Sequence, residues 1–176
     1  MMNVLPKLSF VLGGASSGKS AYAEKLAHSH GLSKHYIATA HVLDAEMEEK
    51  VALHRQARTS DWTLHEAPFD LDEVLAELTA KDVALIDCMT MWLSNHMMEK
   101  DDVHQTIESL LAAISNTPAR VVIVSNEVGH GIVPDNNLAR RFRLAQGKLN
   151  IALAEQADLA VFVVAGLPQV LKGELF

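Results

Sequence analysis

The sequence predicts an α/β protein in which a mostly parallel β-sheet is flanked by helices. Two observations carry this prediction: five short runs rich in branched apolar residues, and segments of helical periodicity between them. Strands that are buried on both faces have nearly unbroken apolar runs, and strands that alternate with helices favour a parallel sheet. No repeat or linker divides the chain, so residues 1–176 are expected to form one domain.

The predicted elements follow in order along the chain. The apolar runs that predict strands are residues 8–12, 36–39, 83–87, 121–125 and 159–164. Helical spacing of apolar residues predicts helices at 20–30, around 71–78, around 103–114 after a cap at Asp101 or Asp102, and around 138–153, where Gly147 interrupts the pattern.

One further helix is expected after Asp44, which is a suitable N-terminal cap. Its inward face is predicted from residues three or four positions apart, which are Met47, Val51, His54 and Arg58. This helix therefore presents a histidine and an arginine on the same face.

Composition excludes several classes of protein. A content of 49% hydrophobic and 21% charged residues is typical of a soluble globular protein, and a net charge of −7 argues against broad contact with nucleic acid. No run approaches the roughly 18 apolar residues of a membrane span, and residues 1–7 lack a signal-peptide pattern, so we expect a cytoplasmic protein without a membrane span. The single cysteine, Cys88, cannot form an internal disulfide and is expected to pack against the core.

The segment GGASSGKS, from Gly13 to Ser20, matches the pattern Gly-x-x-x-x-Gly-Lys-Ser directly after the first apolar run. Its glycines let successive backbone N–H groups point at phosphate oxygens. Lys19 is expected to reach the β and γ phosphates, and the Ser20 hydroxyl to bind Mg²⁺. A glycine-rich turn that matches by chance is the alternative, which the flanking strand and helix disfavour. The segment predicts nucleotide binding.

A phosphate-binding loop also needs an acidic group that holds the water shell of the metal ion. Asp87 ends the third apolar run, which is the expected position for such a group. A carboxylate that caps the next helix is the alternative role. The sequence alone leaves both roles open, and the phosphate loop favours the first.

Residues 126–134 follow the fourth apolar run and leave the carboxyl end of the sheet, where ligands bind in open α/β folds. Two glycines in this loop favour close approach to a ligand or a hinge, and an irregular surface loop is the alternative. Beyond it lie Arg140, Arg141 and Arg143, which are candidates to neutralise a phosphate or a carboxylate. They point in different directions around a helix, so at least one is expected to be solvated.

His54 is open to two interpretations. A buried, hydrogen-bonded histidine is ordinary on the inward face of a helix. Alternatively its neutral imidazole attacks phosphorus, while Arg55 or Arg58 disfavours the protonated ring and stabilises the phosphate. The other histidines lack the spacing of a zinc site, so we do not expect structural zinc.

The order and spacing of these motifs resemble the bifunctional adenosylcobinamide kinase / adenosylcobinamide-phosphate guanylyltransferase family. The resemblance extends over almost the entire chain and rests on the phosphate loop, the segment from Tyr36 to Ala40, the pair His54 and Arg58, the acids Glu66 and Asp87, and the loop 126–134. The chain departs from the family at Asp87, often glutamate in relatives, at His130, often apolar, and in the tail 167–176, which matches poorly.

The resemblance implies a P-loop NTPase fold of the RecA type that assembles as a homo-oligomer, a trimer. It implies that the protein phosphorylates adenosylcobinamide with ATP or GTP. It then transfers GMP from GTP to adenosylcobinamide phosphate, which gives adenosylcobinamide-GDP and pyrophosphate. The second reaction passes through a GMP-histidine adduct, and the family histidine corresponds to His54, which favours the covalent interpretation of that residue.

The family's functional residues carry over to this chain by position. The resemblance implies Lys19 and His54 as catalytic residues and Mg²⁺ bound by Ser20 and Asp87. The nucleotide would be bound by Gly13, Gly14, Ala15, Ser16, Ser17, Gly18, Lys19, Ser20, Thr39, Ala40, His41, His54, Arg55, Gln56, Ala57, Glu66 and Asp87.

Two other functions compete with this one. The first is a kinase for another small metabolite, in which His54 only packs. The second is a nucleotide-dependent switch whose loop 126–134 responds to the γ phosphate. The sequence lacks the Asn-Lys-x-Asp signature that reads guanine in regulatory GTPases, which argues against the switch.

Overall fold

The computed structural model of the chain describes residues 4–28, 31–41, 61–99 and 102–175. The order of elements in these ranges is β1 (Leu8–Gly13), α1 (Lys19–His28), β2 (Ser33–Ala38), β3 (Trp62–Glu66), α2 (Leu71–Glu77), β4 (Asp82–Asp87), α3 (Met89–Glu99), α4 (Val103–Asn116), β5 (Arg120–Asn126), α5 (Asn137–Gln156), β6 (Leu159–Val164) and β7 (Leu167–Lys172). The predicted α/β class is confirmed.

The seven strands form one sheet in the order β3-β2-β4-β5-β1-β6-β7. All neighbouring strands are parallel except β6 and β7, which are antiparallel. Strand β1 lies between β5 and β6, with Gly13 beside Asn126 on one side and Val163 on the other. The segment after β1 therefore leaves the interior of the sheet at its carboxyl edge.

Both faces of the sheet are covered, because alternate residues of each strand point to opposite sides. In β1, Leu8 and Phe10 pack with α2 to α5, whereas Val11 packs with α1. This arrangement explains the continuous apolar runs of the central strands. The edge strand β7 is exposed along its whole length.

The structure adds elements that apolar runs did not predict, namely β3, β7 and helix α3. It also resolves the alternative at the start of α4: the side chain of Asp102 accepts hydrogen bonds from the backbone N–H groups of His104 and Gln105. Gly147 lies inside α5 without ending it. The helix expected after Asp44 lies outside the described residues. Within them, no helix combines the length and apolar character needed to cross a membrane.

Candidate nucleotide-binding site

The phosphate loop is a tight turn between the end of β1 and the start of α1. Ser16 and Gly18 have left-handed backbone conformations, with φ of 55° and 90°. The carbonyl oxygen of Gly14 accepts hydrogen bonds from the N–H of Ser17 at 3.3 Å and from Nζ of Lys19 at 2.9 Å. The lysine cation therefore lies over the loop, at the N-terminus of a helix, where an anion is stabilised.

The loop packs closely against the end of β6 and against the turn between β6 and β7. A Cβ atom at Gly13 would lie 2.7 Å from the carbonyl oxygen of Val163, and one at Gly18 would lie 3.0 Å from Cα of Gly166. The N–H of Gly166 donates a hydrogen bond of 2.8 Å to the carbonyl of Ser17. Glycine is required at these positions because the two backbones approach each other directly.

Asp87 ends β4 at the same edge of the sheet. Its Oδ2 accepts a hydrogen bond of 2.8 Å from the hydroxyl of Tyr36. Within the part of the chain that the structure describes, no backbone N–H of α3 donates to this carboxylate, so the helix-capping alternative gains no support. Only β5 separates β4 from β1, which places the two strands about 10 Å apart.

Thr39 joins the carboxyl ends of β2 and β4. Its hydroxyl donates to the carbonyl of Cys88 at 2.6 Å and accepts from the N–H of Cys88 at 2.8 Å. Its carbonyl accepts from Nδ2 of Asn95, which also donates to the carbonyl of Pro68, both at 2.9 Å. Thr39 is fully buried, so its polar groups hold the edge of the site together.

Cys88 packs as expected against the apolar cluster on the α1 side of the sheet. Burial raises the pKa of its thiol, and the neighbouring carboxylate of Asp87 raises it further. The thiol is therefore protonated near neutral pH, which is the state of a packing residue rather than a nucleophile.

The remaining predicted residues near β2 and β3 lie at the same carboxyl edge. His41, two residues beyond Thr39, makes an edge contact with the ring of Phe69, with centroids 5.7 Å apart. Glu66 ends β3 and is paired in register with Ala38. A cavity of about 360 Å³ lies next to Phe69, and Trp92 and His96 are among its lining residues.

Four predicted residues lie outside the described residues: His54, Arg55, Gln56 and Ala57. The helix expected to carry them does too. The structure therefore assembles the phosphate loop, Asp87, Thr39, His41 and Glu66 along one edge. Among the residues it describes, no three His, Cys, Asp or Glu side chains are grouped so that they would bind a metal ion.

The loop 126–134 adjoins the phosphate loop. The N–H of Glu127 donates to the carbonyl of Gly13 at 3.0 Å, and the N–H of Asn126 donates to the hydroxyl of Thr90 at 2.9 Å. Of the arginines beyond it, Arg140 donates to the carbonyls of Pro134 and Asp135, and Arg141 is exposed.

The sequence analysis missed three buried amide side chains that form hydrogen bonds to the carboxyl ends of the strands, which are Asn95, Gln146 and Asn150. The available signal was an amide side chain among the core-facing residues of a helix, because a buried amide needs hydrogen-bond partners in the fold.

A family model described as "Cobinamide kinase / cobinamide phosphate guanyltransferase" matches residues 9–171. The chain belongs to this family. The match includes most of β7, although the tail 167–176 was expected to match poorly.

Curated relatives agree with this assignment. The chain is 43% identical over 167 residues to "Bifunctional adenosylcobalamin biosynthesis protein CobP" of Pseudomonas aeruginosa, covering 93% of this chain and 96% of the relative. It is 39% identical over 173 residues to "Bifunctional adenosylcobalamin biosynthesis protein CobU" of Escherichia coli, covering 89% and 95%.

Solved structures with low sequence identity share the fold. The flagellar accessory protein FlaH from Methanocaldococcus jannaschii has a TM-score of 0.54 at 13% identity, covering 98% of this chain and 81% of FlaH. The RadB recombinase has a TM-score of 0.50 at 13% identity, covering 91% and 76%. The RecA-like P-loop NTPase fold is thereby confirmed.

Proposed function

We propose that this chain phosphorylates adenosylcobinamide with ATP or GTP and then transfers GMP from GTP to adenosylcobinamide phosphate. The observation that carries the proposal is the phosphate loop, with the Lys19 cation over Gly14, at the same sheet edge as Asp87 in a member of this family. By resemblance, we also propose that the chain works in the cytoplasm as a homo-oligomer, a trimer.

In the kinase reaction, Lys19 exchanges the carbonyl of Gly14 for the β and γ phosphate oxygens of the nucleotide. This exchange needs no large movement, because the Nζ atom already lies over the loop. The backbone N–H groups of the loop and the N-terminus of α1 bind the same anion.

Ser20 and Asp87 are suitable ligands for Mg²⁺, since a hydroxyl and a carboxylate are the hard oxygen donors that this ion prefers. Tyr36 occupies Oδ2 of Asp87. Oδ1 of Asp87 makes no hydrogen bond to a described residue. Because β4 lies two strand spacings from β1, this oxygen would contact the ion through a water molecule. When bound, the ion supplies charge neutralisation at the phosphates.

In the guanylyl transfer, the proposed nucleophile is a ring nitrogen of His54. It forms a bond to the α phosphorus of GTP as the bond to the bridging oxygen breaks, and pyrophosphate leaves with the bonding electron pair. An oxygen of adenosylcobinamide phosphate then attacks the same phosphorus, the phosphorus–nitrogen bond breaks, and the imidazole is restored.

The test is incubation with GTP labelled at the α phosphorus, without acceptor. We expect acid-labile label on the wild type and on His104→Ala, since His104 is an exposed residue of α4, and none on His54→Ala. If the wild type transfers GMP to the acceptor but never acquires label itself, the proposed adduct is contradicted. Failure of adenosylcobinamide to accept phosphate would instead favour a kinase of another small metabolite.

A further inference from the structure

Three polar side chains of α5 form hydrogen bonds to the end of β5 and to the start of the loop 126–134. They are separated by three and four residues and so lie on one face of the helix: Arg143, Gln146 and Asn150. We refer to them as the polar stripe. Nε2 of Gln146 donates to the hydroxyl of Ser125, and Nδ2 of Asn150 donates to the carbonyl of Asn126. One η nitrogen of Arg143 donates to the carbonyl of Gly129.

Buried polar atoms without partners are concentrated at this stripe. Among the residues that the structure describes, Oδ1 of Asn126, Nη1 of Arg143 and Oε1 of Gln146 are buried and make no hydrogen bond. Leaving a buried polar group unpaired is costly, so native structures rarely accumulate such atoms in one place without a ligand or water. Nη1 of Arg143 is a donor that an anion satisfies, whereas the two amide oxygens are acceptors that need a water molecule or another donor.

Arg143 indicates the charge of the ligand that binds at this place. Its described partner is a neutral carbonyl, and no described carboxylate forms an ion pair with it. The nearby carboxylate of Glu127 accepts instead from the N–H of Gly129. A partly buried guanidinium that forms no ion pair with a described carboxylate favours an anion, and its planar fork matches a phosphate group.

The stripe lies beside the phosphate loop but is distinct from it. Asn126 is paired in register with Gly13, and β5 lies between β1 and the strand that ends at Asp87. The phosphate loop has its own cation in Lys19. Residues 129–133 are all exposed, so Arg143 can exchange the Gly129 carbonyl for a ligand oxygen without unfolding the core.

We propose that Arg143 and the side-chain N–H groups of Asn126 donate hydrogen bonds to the phosphate monoester of the acceptor, at a subsite next to the nucleotide phosphates. The inference rests on the proposed function, in which the acceptor hydroxyl receives a phosphoryl group and the resulting phosphate later attacks the guanylylated enzyme. A subsite at this position holds the phosphate once the first reaction has formed it, and while it attacks the guanylylated enzyme in the second. The terminal phosphate of the nucleotide has the same chemistry, and the experiment distinguishes the two sources.

The test compares Arg143→Gln with Lys148→Gln, which removes a charge from an exposed position of the same helix. With adenosylcobinamide phosphate as the varied substrate, we expect the KM of Arg143→Gln to rise about tenfold or more, because a charge-assisted hydrogen bond is lost. Labelling by α-labelled GTP without acceptor should stay at the wild-type level. Arg143→Lys should recover part of the loss, and Lys148→Gln should match the wild type.

A second variant keeps the inference falsifiable if Arg143→Gln fails to fold. Asn126→Asp has the same shape but adds a negative charge, so it should raise the KM for adenosylcobinamide phosphate with little change in that for GTP. An unchanged acceptor KM in a folded variant, or a rise confined to the KM for GTP, would overturn the subsite. If the wild type itself neither becomes labelled nor uses the acceptor, the proposed function fails instead.

Discussion

The hydroxyl of Tyr36 donates a hydrogen bond of 2.8 Å to Oδ2 of Asp87, which joins β2 to the end of β4. Tyr36 is only 3% exposed, so this bond is shielded from water, and the charge of its acceptor strengthens it. The orientation of the proposed metal-binding carboxylate is therefore fixed by the neighbouring strand before a nucleotide binds.

Substitution of Tyr36 by phenylalanine should affect both stability and the use of Mg²⁺. We expect the free energy of unfolding, measured in urea, to fall by about 1–3 kcal/mol. The Mg²⁺ concentration for half-maximal kinase activity should rise, because the carboxylate loses its fixed orientation. Tyr22→Phe is the control, since no described residue hydrogen-bonds the Tyr22 hydroxyl. An unchanged Mg²⁺ requirement in Tyr36→Phe would contradict this role.

Gly13 and Gly14 form a matched pair that tests the packing of the phosphate loop. A Cβ at Gly13 would lie 2.4 Å from Oγ of Ser17 and 2.7 Å from the carbonyl oxygen of Val163, whereas one at Gly14 meets nothing within 4 Å. Gly13→Ala should therefore lower the free energy of unfolding by about 1–3 kcal/mol, and Gly14→Ala by much less. Thermal melting checks this difference, and equal melting temperatures would refute it.

His65 should make stability depend on pH. Burial lowers the pKa of its imidazole, His35 at 2.9 Å lowers it further, and Glu77 opposes both effects. Because the folded pKa lies below the unfolded value of about 6.5, the unfolded chain takes up the proton first as the pH falls. The contribution of His65 to stability is thus complete above about pH 6.5 and is lost below it.

Urea unfolding at a series of pH values measures this effect. The fall in the free energy of unfolding below about pH 6.5 should be smaller in His65→Gln than in the wild type. His104→Gln should keep the wild-type dependence, because the side chain of His104 is 83% exposed. The same slope in all three proteins would show that other groups cause the acid sensitivity.

The central strands and the phosphate loop were predictable because their signals are local. An unbroken apolar run such as β5 identifies a strand buried on both faces, and GGASSGKS specifies its own backbone shape. Strand β3 escaped prediction because it lies at the sheet edge, where Thr63, Leu64 and Glu66 are exposed. Strand β7 is exposed too and contains Pro168, which breaks the strand pattern.

The contacts that position the site depend on tertiary pairing, which local patterns do not encode. The hydroxyl of Thr39 contacts Cys88 only because β2 and β4 are neighbours in the sheet, although β3 lies between them in the order of the chain. The same holds for Asn150 and the carbonyl of Asn126. Helix α3 lacks a clear polar face, since it packs Met89, Trp92 and Leu93 into the core, and was missed for that reason.

The peptide of Gly166 ties the C-terminal hairpin to the phosphate loop. Its N–H donates to the carbonyl of Ser17, and its Cα atom leaves no room for a Cβ atom at Gly18. We therefore expect a nucleotide that orders the phosphate loop to order the turn between β6 and β7 as well. The hairpin of β6 and β7 therefore supports the phosphate loop by packing against it. A deletion in the hairpin should lower the affinity for the nucleotide phosphates without removing a residue that contacts them.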